Sequence, residues 1–313
     1  MQGDILSIIE NKPQNYLMNG DFAISQRFGA NNITPAAKYG VDRWFFANGA
    51  DCERVAETGQ PFAYSLRTTA TASGNTHLQR IESKFIRHLK NKTVTFSIKL
   101  RLESGSLGDV PMLRIGYANA VDNFSATTLV SDNTLESDAP IDGTFRTFKK
   151  SFVVTEQMAE NGFYVQVGDF SSGTNVIRYA HAMLNEGSYA ANFQLAGKHF
   201  LKELELCQRY FDKSYNVETS LGTITDNGAI HDNTYNNTSV GLYVQFYFKK
   251  RMRTNPIITP YSPVSGNVNV IFKAGTGDIA PATYPIGETS ARISVNNTGN
   301  KGVRAHWAAD AEL

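Results

Sequence analysis

The sequence offers few residues at the spacings that enzymatic chemistry requires. It contains six histidines, and no two of them stand two or four residues apart, the spacings at which a strand or a helix grips one metal ion. The serine-nucleophile elbow, the Walker A loop, H-E-x-x-H and C-x-x-C are all absent from the sequence. Glu82 with Glu136 or Asp138 could supply the two carboxylates of a glycosidase, but 29 acidic residues provide such pairs by chance. The sequence therefore predicts a protein that is not an enzyme and uses no cofactor or metal.

Residue types that bind sugars are concentrated in one polar loop, 226–237, which has a turn signal at Asn227-Gly228. Side chains of Asn and Asp match sugar hydroxyls, and a Tyr ring offers a face for stacking. If the protein is a glycan-binding adhesin, the expected ligand contacts in this loop are Asp226, Asn233, Tyr235 and Asn236. The same oxygen-rich loop is a candidate for calcium, but its spacing differs from the EF-hand pattern, which favours a solvated loop.

The two tryptophans are further candidates for contact with sugar rings. Trp44 lies among apolar neighbours in Val41–Phe46, which predicts a core residue. Trp307, close to the end of the sequence, has two readings that the pattern leaves open. It belongs either to a core or subunit contact, or to an exposed platform for a ligand.

Charge and composition narrow the range of partners. Lys and Arg number 30 and Asp and Glu number 29, so no overall field favours nucleic acid. No apolar run approaches the roughly 20 residues needed to span a bilayer, and Met1–Asp4 lacks the basic start of a signal peptide. We expect a chain made in a cytoplasm, without membrane insertion, in which Cys52 and Cys207 are buried thiols.

The patterning of apolar residues predicts a mainly β fold. In the clearest strand, Val94, Phe96, Ile98, Leu100 and Leu102 alternate with polar residues that include Lys99 and Arg101, which predicts one dry and one wet face. The pattern recurs at 148–154, 163–167 and 177–181, and recurring antiparallel strands favour a two-sheet sandwich. The first module is assigned to residues 15–195 and a second β-sandwich module to 216–313.

A single helix is predicted to connect the two modules, over residues 196–215. Its apolar residues Phe200, Leu204, Cys207 and Phe211 recur at helical spacing and form one stripe. Glu205 and Arg209 stand four residues apart in the favoured orientation for an ion pair.

The first 14 residues stand apart from the modules. They contain the aliphatic residues Ile5, Leu6, Ile8 and Ile9. Such a short segment needs a partner for its apolar side chains, which is either the module that follows or another protein. In the second case residues 1–14 are a docking peptide.

Three stretches of the sequence resemble the tail fibres of tailed bacteriophages. Asn15–Arg27 followed by Tyr39–Trp44 resembles the opening of their carbohydrate-binding-module-like jelly roll, a galactose-binding-like sandwich. Glu203–Tyr215 is similar to the Glu-Leu-x-x-Cys-x-Arg-Tyr-Tyr/Phe stretch that follows this jelly roll. Phe246–Pro256 and the terminus His306–Leu313 are similar to the distal module of a fibre.

The resemblance implies a homotrimeric receptor-binding protein of the virion, made in the host cytoplasm. Such a protein adheres to lipopolysaccharide or another polysaccharide of the bacterial surface without cleaving it. Its N-terminus is expected to contact other virion proteins, and the thin core of the distal module favours self-association.

This sequence departs from a long fibre because no shaft or large anchor domain precedes the first module. Its place on the virion is therefore open between a short fibre, a branch, and a head fibre or decoration. The alternative functions are a structural virion protein that cements neighbouring subunits in the head, a decoration or the tail assembly, and an envelope depolymerase.

Overall fold

The structure is a computed structural model that describes residues 13–29, 38–47, 51–69, 75–105, 111–138, 140–169, 175–232, 242–281, 285–295 and 302–313. The chain divides into two compact units. Unit 1 comprises Met1–Ala23, Asn32–Glu203 and Leu313, and unit 2 comprises Ile24–Asn31 and Leu204–Glu312. The predicted docking residues Ile5, Leu6, Ile8 and Ile9 lie outside the described residues, so the docking peptide stays a prediction.

Unit 1 is built from eleven strands in the part of the chain that the structure describes. In chain order they are β1 (Lys38–Tyr39), β2 (Phe45–Ala47), β3 (Asp51–Ala56), β4 (Tyr64–Thr69), β5 (Asn75–Ile81), β6 (Thr93–Ser104), β7 (Met112–Ala120), β8 (Asn123–Thr134), β9 (Arg146–Val153), β10 (Phe163–Asp169) and β11 (Val176–Glu186). Strands β1-β2-β5-β10-β7-β8 form a six-stranded sheet, and β3-β4-β11-β6-β9 form a five-stranded sheet. All pairings within these sheets are antiparallel.

The chain alternates between these two sheets as it proceeds, which is the pattern of a jelly-roll sandwich. The predicted alternation in β6 is confirmed on its inner side, where Val94, Phe96, Ile98 and Leu100 are buried. The matching inner residues of β10 are buried as well, and together they form the core between the sheets. The expected mainly β fold and jelly-roll sandwich are confirmed.

One end of the outer face of the five-stranded sheet is covered by other residues. The sequence predicted that this face of β6 is exposed to water, so the burial differs from that prediction. Ser97 and its register partner Met183 are both buried although they lie on the outer side. The chain after β11 returns over this end, where Asn185 Nδ2 donates to Tyr189 O at 3.0 Å. Thr95 Oγ1 likewise donates to Gly187 O at 2.7 Å. The remaining open part of the outer face therefore begins at Lys99.

The short helices of unit 1 lie in its connections. They are α1 (Ser83–Ile86), followed by a 3₁₀ turn (Arg87–Leu89), and α2 (Glu156–Asn161). The α2 helix begins where Thr155 Oγ1 accepts a hydrogen bond from Met158 N at 3.3 Å. It ends at Gly162, whose positive φ of 81° suits glycine.

The predicted connecting helix is real but shorter than expected. Helix α3 spans Phe200–Gln208, and residues 211–213, predicted as helical, form a strand. The stripe is also wrong in part, because Phe200 is exposed and Glu203 is fully buried. The Glu203 carboxylate accepts hydrogen bonds from Asn19 N and, at 2.6 Å, from Gly197 N. These backbone donors explain why helical spacing of apolar residues alone misplaced the buried face.

Unit 2 contains eight strands among the described residues. They are β12 (Phe211–Lys213), β13 (Ile230–Asp232), β14 (Leu242–Tyr247), β15 (Ile257–Tyr261), β16 (Ile271–Lys273), β17 (Gly277–Ile279), β18 (Ser290–Val295) and β19 (Val303–Asp310). Strand β19 is central, because β12, β13, β15 and β16 all pair with it. Strands β14 and β18 form a separate two-stranded sheet. Both sheets contribute residues to one apolar core, as the predicted β-sandwich requires.

The segment Ile24–Asn31 belongs to unit 2, although the sequence assigned it to the first module. Its contacts explain the difference. Gln26 Nε2 donates to Phe211 O at 2.8 Å, and Arg27 forms an ion pair with Asp310 at 2.9 Å. The predicted boundary followed chain order, whereas these contacts join residues far apart in sequence.

The structure also describes the two cysteines and the surroundings of Glu205. Cys52 and Cys207 are both buried free thiols, as predicted. No helix in the described part of the chain has the length and apolar character needed to cross a bilayer. The carboxylate of Glu205 contacts Lys250 Nζ at 3.1 Å, and its i,i+4 pair with Arg209 stays a prediction.

Candidate functional site

The polar loop predicted to bind a ligand is described only in part. Asn233, Tyr235 and Asn236 lie outside the described residues. Asp226 is on the surface of unit 2, where its two carboxylate oxygens accept hydrogen bonds from Arg304 Nη1 at 2.9 and 2.8 Å. This ion pair occupies the carboxylate that was expected to contact a ligand.

Trp307 is a core residue of unit 2, which decides between its two alternatives in favour of the core and removes it from the candidate ligand contacts. Its side chain is only 3% exposed, and its ring stacks on Phe246 with centroids 4.6 Å apart. Phe248 meets the same ring edge-on. Strand β19 lies in the middle of its sheet, so a large ring on its inner side fills the core. Trp44 is fully buried in unit 1, as predicted.

A serine and a histidine meet in unit 2, but their hydrogen bonds identify a structural pair. Ser214 Oγ lies 2.8 Å from His306 Nδ1, and His306 Nε2 lies 2.8 Å from Thr225 O. A carbonyl only accepts, so Nε2 carries the hydrogen and Ser214 donates to Nδ1. Ser214 Oγ also accepts from Trp307 N at 3.0 Å. Its hydroxyl therefore serves to hold two strands together.

Two of the carboxylates considered for a glycosidase are engaged in ion pairs. Glu82 contacts Lys84 Nζ at 2.8 Å, and Glu136 contacts Lys150 Nζ at 2.5 Å. No group of three or more His, Cys, Asp or Glu side chains in the described chain is arranged to hold a metal ion.

The most unusual polar arrangement is a row of three arginines across the five-stranded sheet of unit 1. Arg178 of β11 is the direct register partner of Arg67 of β4 on one side and of Arg101 of β6 on the other. The residues next to these arginines along their strands are buried in the sandwich core: Leu66, Tyr179 and Leu100. Because side chains alternate along a strand, all three guanidinium groups lie on the outer face. We call them the arginine row.

Carboxylates hold the arginine row in place from both sides. Glu57, whose side chain is only 6% exposed, accepts from Arg178 Nη1 at 2.7 Å and from Ser65 Oγ at 2.5 Å. Glu103 accepts from Arg178 Nε at 2.6 Å and from Arg67 Nε at 3.2 Å. The hydrogen bond from Arg178 is the main cause that lowers the pKa of Glu103. Both carboxylates therefore accept hydrogen bonds and fix the direction of the guanidinium planes.

An aromatic cluster adjoins the arginine row. Phe62 meets Phe145 edge-on with centroids 5.0 Å apart, and it meets His181 in the same way at 4.8 Å. His181 in turn stacks on Phe193 at 4.0 Å. The cluster contacts the row through Arg101, whose guanidinium carbon lies 4.9 Å from the centroid of the Phe145 ring.

A bulge in β11 explains how His181 joins this cluster. The pairing of β11 with β6 shifts register between Ala180 and Met183, and His181 has a positive φ of 52°. A bulge re-aims a side chain, so this ring leaves the inner side that the sequence alternation of Ile177, Tyr179 and His181 predicted. Burial, followed by the positive charge of Lys99, lowers the pKa of His181 to about 4. The ring is therefore neutral at physiological pH.

The arginine row and the aromatic cluster together suit binding better than chemistry. Guanidinium groups donate hydrogen bonds in a fixed plane, carboxylates accept them, and ring faces offer apolar contact. None of these residues was among the predicted contacts. The sequence signal was the polar side of β6, where Lys99, Arg101 and Glu103 alternate with buried residues, but nothing local placed Arg67 and Arg178 beside them.

No family model matches the chain, and no curated protein matches it. Several solved structures are similar to part of it. A xylan-binding CBM22-1 domain of Paenibacillus barcinonensis Xyn10C is 13% identical with a TM-score of 0.36, over 52% of this chain and 99% of that one. The C-terminal family 22 carbohydrate-binding module of Clostridium thermocellum Xyn10B is 14% identical with a TM-score of 0.37, over 55% and 98%. The enzymatically active domain of tailspike protein 4 from bacteriophage CBA120 is 11% identical with a TM-score of 0.36, over 55% and 21%.

Proposed function

We propose that this chain is a non-catalytic glycan-binding protein whose binding surface is the open outer face of the five-stranded sheet in unit 1. The observation that carries the proposal is the arginine row. Like charges directly opposite each other on neighbouring strands destabilise a sheet, by up to about 1 kcal/mol for each pair. Two such pairs stand in succession, Arg67 with Arg178 and Arg178 with Arg101, and Glu57 and Glu103 offset their repulsion, which makes the row a fixed set of hydrogen-bond donors and acceptors suited to binding.

The geometry of this face matches the chemistry of a sugar. A sugar ring presents hydroxyl groups around its edge, which both donate and accept hydrogen bonds, and C–H groups on its faces. Guanidinium donors lie beside the carboxylate acceptors of Glu57 and Glu103. A sugar hydroxyl group can therefore both accept and donate a hydrogen bond within this one row. Phe145, which is partly exposed, adds an apolar ring next to Arg101.

The biological setting that we propose is attachment of a bacteriophage virion to polysaccharide or lipopolysaccharide of the bacterial surface. Its support is the resemblance of the sequence to tail fibres, carried by Asn15–Arg27, Glu203–Tyr215 and His306–Leu313. In a homotrimer, three weak sites on one particle would act together, which raises the overall avidity without new contacts.

The homotrimer is supported by apolar side chains on the surface of unit 2. Tyr247 and Ile257 are 71% and 74% exposed, and Ile224 is 64% exposed. Single exposed apolar side chains also occur on monomers, so the mass in solution is the test. Light scattering of the purified chain should give three times the protomer mass. A monomer would contradict the trimer and leave glycan binding untouched.

The same exposed side chains favour a second candidate function, in which the chain cements neighbouring virion proteins. This candidate predicts that particles lose integrity when the protein is deleted. The adhesion proposal predicts intact particles that fail to adsorb to the host.

A glycan array probed with the full chain tests the binding function. Arg67→Gln should reduce binding by about tenfold, the effect of losing roughly 1.4 kcal/mol of interaction. Arg114→Gln is the matched control, because Arg114 is a partly exposed arginine on the outer side of β7, in the other sheet of unit 1. Absence of any bound glycan, or an equal loss in both variants, would overturn the proposal.

A further inference from the structure

The charges around the arginine row do not cancel. Arg67 and Arg178 face the carboxylates of Glu57 and Glu103, and Glu53 lies 3.7 Å from Arg67. With Arg101 included, three guanidinium groups meet three carboxylates. Lys99 then adds a fourth cation on the same face of β6, and no described carboxylate lies within ion-pair distance of it. Lys149, on the outer side of β9 next to Lys99, adds a further cation, so net positive charge remains at this end of the face.

Arg101 is the cation of the row with the weakest internal partner. Its Nη2 lies 3.9 Å from Glu57 Oε1, whereas Arg178 reaches the same oxygen at 2.7 Å. Its Nε atom is buried and has no hydrogen-bond partner. A buried donor without a partner is costly. The guanidinium group of Arg101, whose side chain is 25% exposed, therefore keeps outer donors that its distant pairing with Glu57 does not engage.

Lys99 and Arg101 lie two residues apart on one strand, so their Cα atoms are about 7 Å apart and their side chains share the outer face. His181 adds no charge near them, because its ring is neutral at physiological pH. The open end of the face, bordered by Phe145, is consequently a positive surface beside an apolar ring.

We infer that this site takes an acidic glycan, with the carboxylate of one sugar unit bound between Arg101 and Lys99 and a face of that sugar ring against Phe145. The inference rests on the proposed glycan-binding function and names its ligand class. A planar carboxylate matches a guanidinium fork in two parallel hydrogen bonds. It also carries a negative charge, which the net positive charge of this end of the face attracts.

Matched pairs of polysaccharides test this inference. The probes are polygalacturonate, polymannuronate and polysialic acid, each beside its carboxyl-reduced form, which keeps the sugar backbone and removes the charge. The full chain should bind at least one acidic polymer about tenfold more tightly than its reduced form. This preference should weaken as NaCl rises from about 0.05 M to about 0.3 M, because salt screens exposed charges.

Three variants test whether Arg101 and Lys99 cause the preference for the acidic polymer over its reduced form. Arg101→Gln should reduce the preference to about twofold or less while leaving the affinity for the reduced polymer unchanged. Lys99→Gln, on a partly exposed residue, should reduce it in the same direction and remains informative if Arg101→Gln fails to fold. Arg114→Gln, in the other sheet, should keep the full preference.

The outcomes separate the two proposals. Equal affinity for acidic and reduced polymers, or binding to neutral glycans alone, overturns the acidic-glycan inference and leaves the binding function standing. A preference that survives both Arg101→Gln and Lys99→Gln also overturns the inference. Absence of binding to every glycan overturns the binding function, and the inference falls with it.

Discussion

Acid should destabilise unit 1 through one buried histidine, His77. Its side chain is 1% exposed, and its ring meets Phe46 and Tyr179 edge-on at 4.8 and 5.1 Å. Its Nε2 lies 2.8 Å from Thr68 Oγ1, and its Nδ1 has no hydrogen-bond partner. Burial lowers the pKa of His77 from 6.5 to about 3.

The sign and size of the effect follow from this pKa. The unfolded chain binds a proton at His77 below pH 6.5, whereas the folded chain keeps the ring neutral down to about pH 3. Stability that is fully present above pH 6.5 is therefore lost as the pH falls toward 3. Each pH unit over which only the unfolded chain binds the proton costs about 1.36 kcal/mol. The titration of His77 alone should therefore lower the free energy of unfolding by about 3 kcal/mol between pH 7 and pH 4.

The assay compares the free energy of unfolding at pH 7 and pH 4 for wild type and His77→Gln. The fluorescence of Trp44, buried in unit 1, reports the transition in a Trp307→Phe background. The acid loss in wild type should exceed that in His77→Gln by about 3 kcal/mol, because all other titrating groups are shared. His199→Gln, which removes an exposed imidazole from the same unit, should behave as wild type. Equal acid losses in wild type and His77→Gln would refute the reasoning.

Three further substitutions test the packing described above. Trp307→Ala should destabilise unit 2 by about 3–5 kcal/mol, measured by chemical denaturation, because it removes the ring that stacks on Phe246. Gly20→Ala should destabilise unit 1 by about 3 kcal/mol, measured in the same way, because its Cβ would lie 2.0 Å from Ala182 O. Lys213→Met should destabilise unit 2 by about 3 kcal/mol in thermal unfolding, because the buried ammonium donates to three backbone carbonyls, two of them at 2.9 and 2.5 Å.

Each of these substitutions has a control in the same unit. Tyr247→Ala removes an aromatic ring of unit 2 that is 71% exposed and should leave stability nearly unchanged. Gly59→Ala has no heavy atom within 4 Å of its new Cβ, but its φ of 72° predicts a smaller loss than Gly20→Ala, from backbone strain alone. Lys250→Met removes a partly exposed lysine of unit 2. A variant that matches its control in stability would contradict the contact assigned to it.

The strand pattern could be predicted because it depends on neighbouring residues only. Phe163, Val165 and Val167 alternate along one strand, and all three are buried as a two-residue period requires. The two-residue alternation gave a wrong prediction where the backbone departs from regular strand geometry. His181 follows the alternation in sequence, but the bulge beside it turns its ring to the outer side.

The helix and the tryptophan show a second limit. The stripe in α3 was defined by apolar residues, yet the fully buried Glu203 is held by backbone donors from Asn19 and Gly197. The residues around Trp307 in the sequence left its surroundings undecided. Its burial became clear only when β12 and β15 were found on both sides of β19.

The amino-acid sequence by itself determined the mainly β class and the buried thiols, since hydrophobic alternation and composition act over short distances. The tertiary structure alone decided which polar residues meet. Arg67, Arg101 and Arg178 are separated by long stretches of chain, and only the register of three strands brings them into one row. Strand register depends on the packing of the whole sheet, because a slip of one residue would turn each arginine into the core.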